Sequence, residues 1–140
     1  MTMRAPRFGL LFISLACGGS GGPPAPAPVT FSGTYSTRVT LAQSTCGTVV
    51  VQDNPTVVTH NATTQAVTLT HAGITYSGTV QADSSFSTEP RPVEVNDGSQ
   101  YIIQISGRFR VRAFEADATV DRARQGATCR YVVRLVGALR

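Results

Sequence analysis

Lysine and tryptophan are absent from this 140-residue chain, and only 14% of its residues are charged. Every cation is an arginine, a compositional bias to which no function attaches. Such sparse charge, beside 41% hydrophobic residues, argues against a disordered chain. No segment shows a sustained 3.6-residue apolar stripe, so a helical bundle is excluded. There is no Gly-x-Ser-x-Gly elbow and no glycine-rich phosphate loop opening a helix. No two carboxylates stand at an acid/base spacing. Only two histidines are present, His60 and His71. They are expected on strands about 20 Å apart, facing solvent, with His60 pairing near Gln65. Without a third histidine or a free cysteine they make no zinc site. The chain therefore reads as non-catalytic, with no cofactor and no metal.

What is present favours strands. Thirteen glycines and abundant Thr, Ser and Val point to an all-β chain, and the length leaves room for one domain. Period-2 alternation dominates residues 29–140. Val29, Phe31, Gly33, Tyr35, Val39 and Leu41 share one face of a long first strand. Val49 and Val51 alternate before Asn54-Pro55. Thr56–His60 and Ala66–Thr70 are strands joined by a turn at Asn61–Thr64. Ala72-Gly73 is a tight turn into the alternating Ile74, Tyr76, Gly78 and Val80. Asp83-Ser84-Ser85 turns that strand into Phe86–Thr88, and a long loop follows over Glu89–Ser99. Tyr101, Ile103, Ile105 and Phe109 alternate, as do Phe114, Ala116, Ala118 and Val120. A hairpin at Arg110–Ala113 puts Phe109 and Phe114 on one face and sets Arg108 opposite Glu115. Cys129, Tyr131, Val133, Leu135 and Gly137 form the last strand. About eight strands at this spacing predict a small antiparallel meander, a β-barrel or sandwich. In a closed barrel of even count the first and last strands pair antiparallel.

Met1–Arg7 carries Arg4 and Arg7 and no acid, and Phe8–Ala16 runs uncharged into Cys17. A basic segment, a short apolar run and a small residue at the cut make a secretory signal, too short to span a bilayer. Ile13-Ser14-Leu15-Ala16-Cys17 resembles the lipobox of bacterial lipoproteins, with Ser14 where that family prefers leucine. The resemblance covers the first 17 residues. It implies that residues 1–16 are cleaved as a signal peptide and that Cys17 carries a diacylglyceryl group and a further acyl chain such as palmitate. It places the chain in the bacterial cell envelope, at the periplasmic face of the outer membrane or on the cell surface. Gly18 is not the aspartate that marks inner-membrane retention. Residues 17–28 are then the lipidated cysteine and a Gly/Pro-rich tether, flexible over 18–22 and stiffer over 23–28. That tether reaches at most about 35 Å. Residues 29–140 are the folded domain, similar to lipocalins and avidins in architecture alone. Without Arg4 and Arg7, ten arginines face eight acids, a net of +2, too little to argue for nucleic acid. With Cys17 lipidated, Cys46 and Cys129 remain. The closed barrel sets the end of its first strand beside the head of its last, where these two stand, and an oxidising compartment lets them pair.

Arg108, Arg110, Arg112, Arg122, Arg124, Arg130 and Arg134 crowd the last third. They make a candidate basic patch for anionic lipid or an acidic partner, or else a solvated face partly neutralised by Glu115, Asp117 and Asp121. Phe31, Tyr35, Tyr76, Phe86, Tyr101, Phe109, Phe114 and Tyr131 fall mainly on the apolar parity. An eight-stranded barrel encloses a space that such side chains fill or that holds one small ligand. Asn61-Ala62-Thr63 matches a glycosylation sequon, a reading that lapses in a bacterium. The leading expectation is a lipid-anchored barrel acting as a non-catalytic binding or structural module, with the membrane as partner through its lipid. The alternatives are a carrier of a small apolar ligand and a periplasmic inhibitor of a lysozyme or protease. The inhibitor would meet an envelope-protein partner by presenting Glu89–Ser99, with Pro90 and Pro92, as a projecting loop.

Overall fold

Strand alternation decides this architecture, because each strand has one apolar parity and the apolar faces must meet. The computed structural model describes Gly19 and residues 21–140, so Cys17 and the signal lie outside the described residues. The described residues contain nine strands and no helix. They are β1 (Gly33–Ser44), β2 (Thr56–His60), β3 (Ala66–His71), β4 (Ile74–Val80), β5 (Ser85–Thr88), β6 (Arg91–Glu94), β7 (Gln100–Arg110), β8 (Ala113–Arg124) and β9 (Ala127–Leu139). The sheet runs β5-β4-β3-β2-β1-β9-β8-β7 and closes through a second pairing of β5 with β7. All pairings are antiparallel. Eight strands thus form the closed barrel, and the first and last pair over a long register from Tyr35↔Leu139 to Ser44↔Tyr131.

The ninth strand revises the expected loop. β5 and β6 lie along the same edge of β7, offset by one residue: Ser87 faces Ser106, whereas Arg91 faces Ile103. They are one strand broken at Glu89-Pro90. The Ile105 N–H donates to Thr88 Oγ1 at 2.9 Å, and Gln104 Nε2 donates to the Thr88 carbonyl at 3.1 Å, so the break keeps its polar groups bonded. Arg91–Glu94 is therefore strand, and only a turn near Val95–Ser99 remains of the projecting segment. Proline is tolerated at Pro92 because β6 pairs on one side only.

The first strand also starts later than expected. β1 begins at Gly33, and Val29 is 72% exposed, off the shared face. The Ala72-Gly73 turn behaves as the sequence predicts, and Gln125-Gly126 between β8 and β9 is a second turn of the same kind. Each has two consecutive residues at positive φ (48° and 79°, 49° and 80°), the backbone of the tight turn that matches strand twist. The β7–β8 hairpin turns at Val111-Arg112, pairs Phe109 with Phe114 and Arg108 with Glu115, and has Arg112 at a φ of 56° where glycine is usual.

Aromatic rings fill the interior. Phe109 is sandwiched between Phe31 and Phe86, each with centroids 4.6 Å away. Phe114 stands edge-on to Tyr35 at 5.2 Å and to Phe109 at 6.1 Å. Leu69, Ile105, Val58 and Val67 complete the buried core. Gly137 faces Phe114 across the β8–β9 ladder, and any Cβ there would fall within the ring. At the opposite end Cys46 and Cys129 form a disulfide with Cα atoms 5.1 Å apart and a sequence separation of 83. The Thr45 N–H donates to the Arg130 carbonyl at 2.8 Å, carrying the β1–β9 ladder up to the bridge. In the chain-entropy account such a loop contributes on the order of 4 kcal/mol.

Two substitutions test this packing by chemical denaturation. Phe114→Ala should cost about 3–5 kcal/mol, as an emptied aromatic core site does. Gly137→Ala should cost about 1–3 kcal/mol despite adding only a methyl group, because the ring has to move. A neutral Gly137→Ala would contradict the ring placement.

Candidate functional site

The two ends of the barrel are unlike. At one end the chain enters across the mouth. Residues 28–32 cross the opening, and Phe31 turns inward onto Phe109. Four hydrogen bonds fix this plug. The Tyr35 hydroxyl donates to the Phe31 carbonyl at 2.8 Å, and the Phe31 N–H donates to His60 Nδ1 at 3.4 Å. The His60 N–H donates to Ser32 Oγ at 2.8 Å, and that hydroxyl donates to the His60 carbonyl at 3.2 Å. Because His60 Nδ1 accepts, its Nε2 carries the proton and donates to Gln65 Oε1 at 3.3 Å. Around the plug lies a cup of about 820 Å³, open to solvent and lined by Tyr35, His60, Val80, Phe109 and Leu139.

Both histidines correct the sequence expectation of solvent-facing rings. His60 is 7% exposed, and His71 is half-buried on the inner parity. His60 pairs with Val67, which sets His71 four residues further along β3, about 13 Å rather than 20 Å. Parity decides this: Thr56, Val58 and His60 alternate inward together. His71 ends a buried polar chain. Thr37 Oγ1 donates to Thr56 Oγ1 at 2.8 Å, and Thr56 Oγ1 lies 2.9 Å from His71 Nδ1. Burial holds the His71 imidazole below its ordinary range.

At the other end β1, β7, β8 and β9 rise beyond the shorter strands. Their inner face carries Tyr101 directly across from Arg122, which in turn faces the bridged Cys129. The Arg122 guanidinium lies 5.8 Å from the Tyr101 ring centroid, a cation–π contact. Its Nη2 donates to the buried Ser99 hydroxyl at 3.4 Å, and its Nε is buried without a partner among the described residues. Burial raises the Tyr76 hydroxyl to about 12, with Tyr131 adding and Arg91 opposing. Burial also raises Tyr131, reinforced by Tyr101 and opposed by Arg122.

The arginines expected to cluster are divided among these places. Arg108, Arg110 and Arg112 stand at the mouth, whereas Arg122 and Arg124 stand some nine rungs away along β8, roughly 30 Å. Arg108 pairs with Asp83 at 3.0 Å and Arg130 with Asp121 at 2.6 Å. Arg134 reaches both Glu115 and Asp117 at 3.3 and 3.2 Å. The hydrogen bond from Arg130 holds the Asp121 carboxyl below its ordinary range. No group of three His, Cys, Asp or Glu side chains converges on a metal position among the described residues. Sequence reasoning missed the plug and the inward Arg122. The signal for the second was its even parity with Phe114, Ala116, Ala118 and Val120.

Comparison with family models, curated proteins and solved structures finds no match.

The His71 environment predicts a pH effect with a definite sign. The folded imidazole takes its proton less readily than the unfolded one, whose ordinary value is 6.5. Its stability contribution is therefore complete above that pH and is lost as pH falls through the lowered folded value. Denaturation midpoints should drop between pH 7.5 and pH 5, and His71→Gln should flatten the drop. An unchanged slope in the variant would contradict the buried placement.

Proposed function

We propose that this chain is a lipid-anchored β-barrel of the bacterial cell envelope that works as a non-catalytic binding or structural module. One observation carries the second half of that reading. The barrel interior is occupied by its own rings, from Phe31 through Phe109 and Phe86 to Phe114, so partners meet its rim and outer wall. The lipobox-like run ending at Cys17 and the Gly/Pro-rich segment after it support the anchor. The Cys46–Cys129 bridge supports an oxidising compartment. The outer wall is built for water: Arg130–Asp121 and Arg134 with Glu115 and Asp117 lie about half exposed, where ion pairs favour solubility more than stability.

A second reading, a carrier of a small apolar ligand, draws on the cup of about 820 Å³ at the mouth. The size falls within the range of small-molecule sites. The cup deepens into a carrier's cavity only if Phe31 leaves its stack, so this reading requires the plug to move. The loop-inhibitor reading has lost most of its projecting segment to β6.

Cys17→Ala tests the anchor by membrane fractionation. The wild-type chain should sediment with membranes and resist salt extraction, and the variant should move to the soluble fraction. An unchanged distribution would remove the anchor from the proposal. Phe31→Ala separates the two binding readings: thermal shifts with a panel of fatty acids should stay absent in the wild type under the module reading. A large stabilisation that increases in Phe31→Ala would favour the carrier.

A further inference from the structure

We infer that the plugged mouth of the barrel is a docking surface for an anionic phospholipid bilayer, with the β7–β8 turn as its tip. Three rim turns surround the entering chain, and their tips are Ala62, Ala82 and Val111. Val111 is 92% exposed, the most exposed large apolar side chain among the described residues, and Val29 on the entering segment is 72% exposed. Arg110 and Arg112 flank Val111, and both are exposed. The rim turns at 61–65, 81–84 and 110–113 contain one acid, Asp83, and it is occupied by Arg108 at 3.0 Å. An apolar tip between two exposed cations, with the nearby acid neutralised, matches the two components of interfacial binding: buried apolar area and attraction to anionic headgroups.

The opposite end lacks this combination. Its turns Ala72-Gly73, Asn96-Asp97-Gly98 and Gln125-Gly126 have no large apolar residue at their tips, and the 45–55 connection beside the disulfide exposes Val50 (81%) with no cation in the segment. The direction of the chain agrees with the assignment. Residues 28–32 cross the plugged mouth, so the preceding tether of at most about 35 Å from Cys17 brings that rim, and not the disulfide end, to the bilayer. The inference rests on the anchored reading for this geometry.

The absence of tryptophan makes the test direct, since one introduced indole reports alone. Val111→Trp marks the tip. Ile102→Trp, at a 51% exposed outer position near the other end of β7, is the control. Each full-length variant is purified from membranes and mixed with vesicles of zwitterionic lipid, with and without anionic phosphatidylglycerol, carrying brominated acyl chains. The inference predicts a blue shift and strong quenching of the tip indole in the anionic vesicles and an unquenched control indole. Adding Arg110→Gln and Arg112→Gln should shift the docking equilibrium of the tip on anionic vesicles roughly 30-fold toward the undocked state, read as loss of the blue shift and quenching, from the usual contribution of each cation near a charged surface. A tip indole quenched no more than the control would overturn the inference, as would equal quenching in purely zwitterionic vesicles. Intact mass of the same samples decides the anchor separately. Acylated Cys17 with an unquenched tip keeps the anchor and removes the docking rim. Unmodified Cys17 with a quenched tip keeps the rim and removes the anchor.

Discussion

The long antiparallel pairing of β1 with β9 is the constraint on which the rest depends. Nine register pairs join the two ends of the folded chain, from Tyr35↔Leu139 to Ser44↔Tyr131. Without it the sheet would have two open edges, each a row of unpaired backbone groups. With it the sheet curls until β5 meets β7, and the inner face becomes an enclosed core. The disulfide sits at one end of this pairing, and at the other Leu139 packs near the plugged mouth. One seam therefore has a covalent staple at one end and an aromatic plug at the other.

The core explains why the seam holds a single register. A slip of one residue would turn either Tyr35 and Thr37 of β1 or Leu135 of β9 outward and open the ring cluster. Gly137 adds a further requirement, because it is opposite Phe114 that the β9 backbone must come close. The ring cluster in turn fixes where the entering chain goes. Phe109 offers one face to Phe86 and has its other face toward the mouth, where Phe31 covers it. The plug is thus a continuation of the core by a residue that precedes the first strand.

Most of the barrel was legible in the sequence, since period-2 parity needs no knowledge of tertiary contacts. The alternating runs around Tyr76, Ile105, Phe114 and Val133 are strands, and the pairing of Cys46 with Cys129 follows from closing first strand on last. The failures share a physical cause. His60 and His71 were assigned to solvent by polarity when their parity with Val58 and Leu69 turned them inward. Residues 91–94 read as loop because of Pro90 and Pro92, yet an edge strand tolerates proline. The arginines read either as one patch or as a solvated face partly neutralised by Glu115, Asp117 and Asp121, and the ion pairs of Arg130 and Arg134 fit the second reading. Cross-strand register then gave Arg108, Arg130 and Arg134 acidic partners, placed Arg110 and Arg112 at the mouth and turned Arg122 inward over Tyr101. Phe31 has the expected inward side chain, but the backbone at that point has already left the strand.

The central claim is a barrel filled by its own side chains and plugged at its mouth, acting through its surface. Native mass spectrometry of the full chain, purified from its native cells without denaturation, tests this most directly. The account predicts the mass of the oxidised chain, counting any covalent modification retained on denaturation, and no noncovalent cargo. A reproducible additional mass of a few hundred daltons, lost on denaturation, would contradict it and show that the mouth opens to hold a ligand.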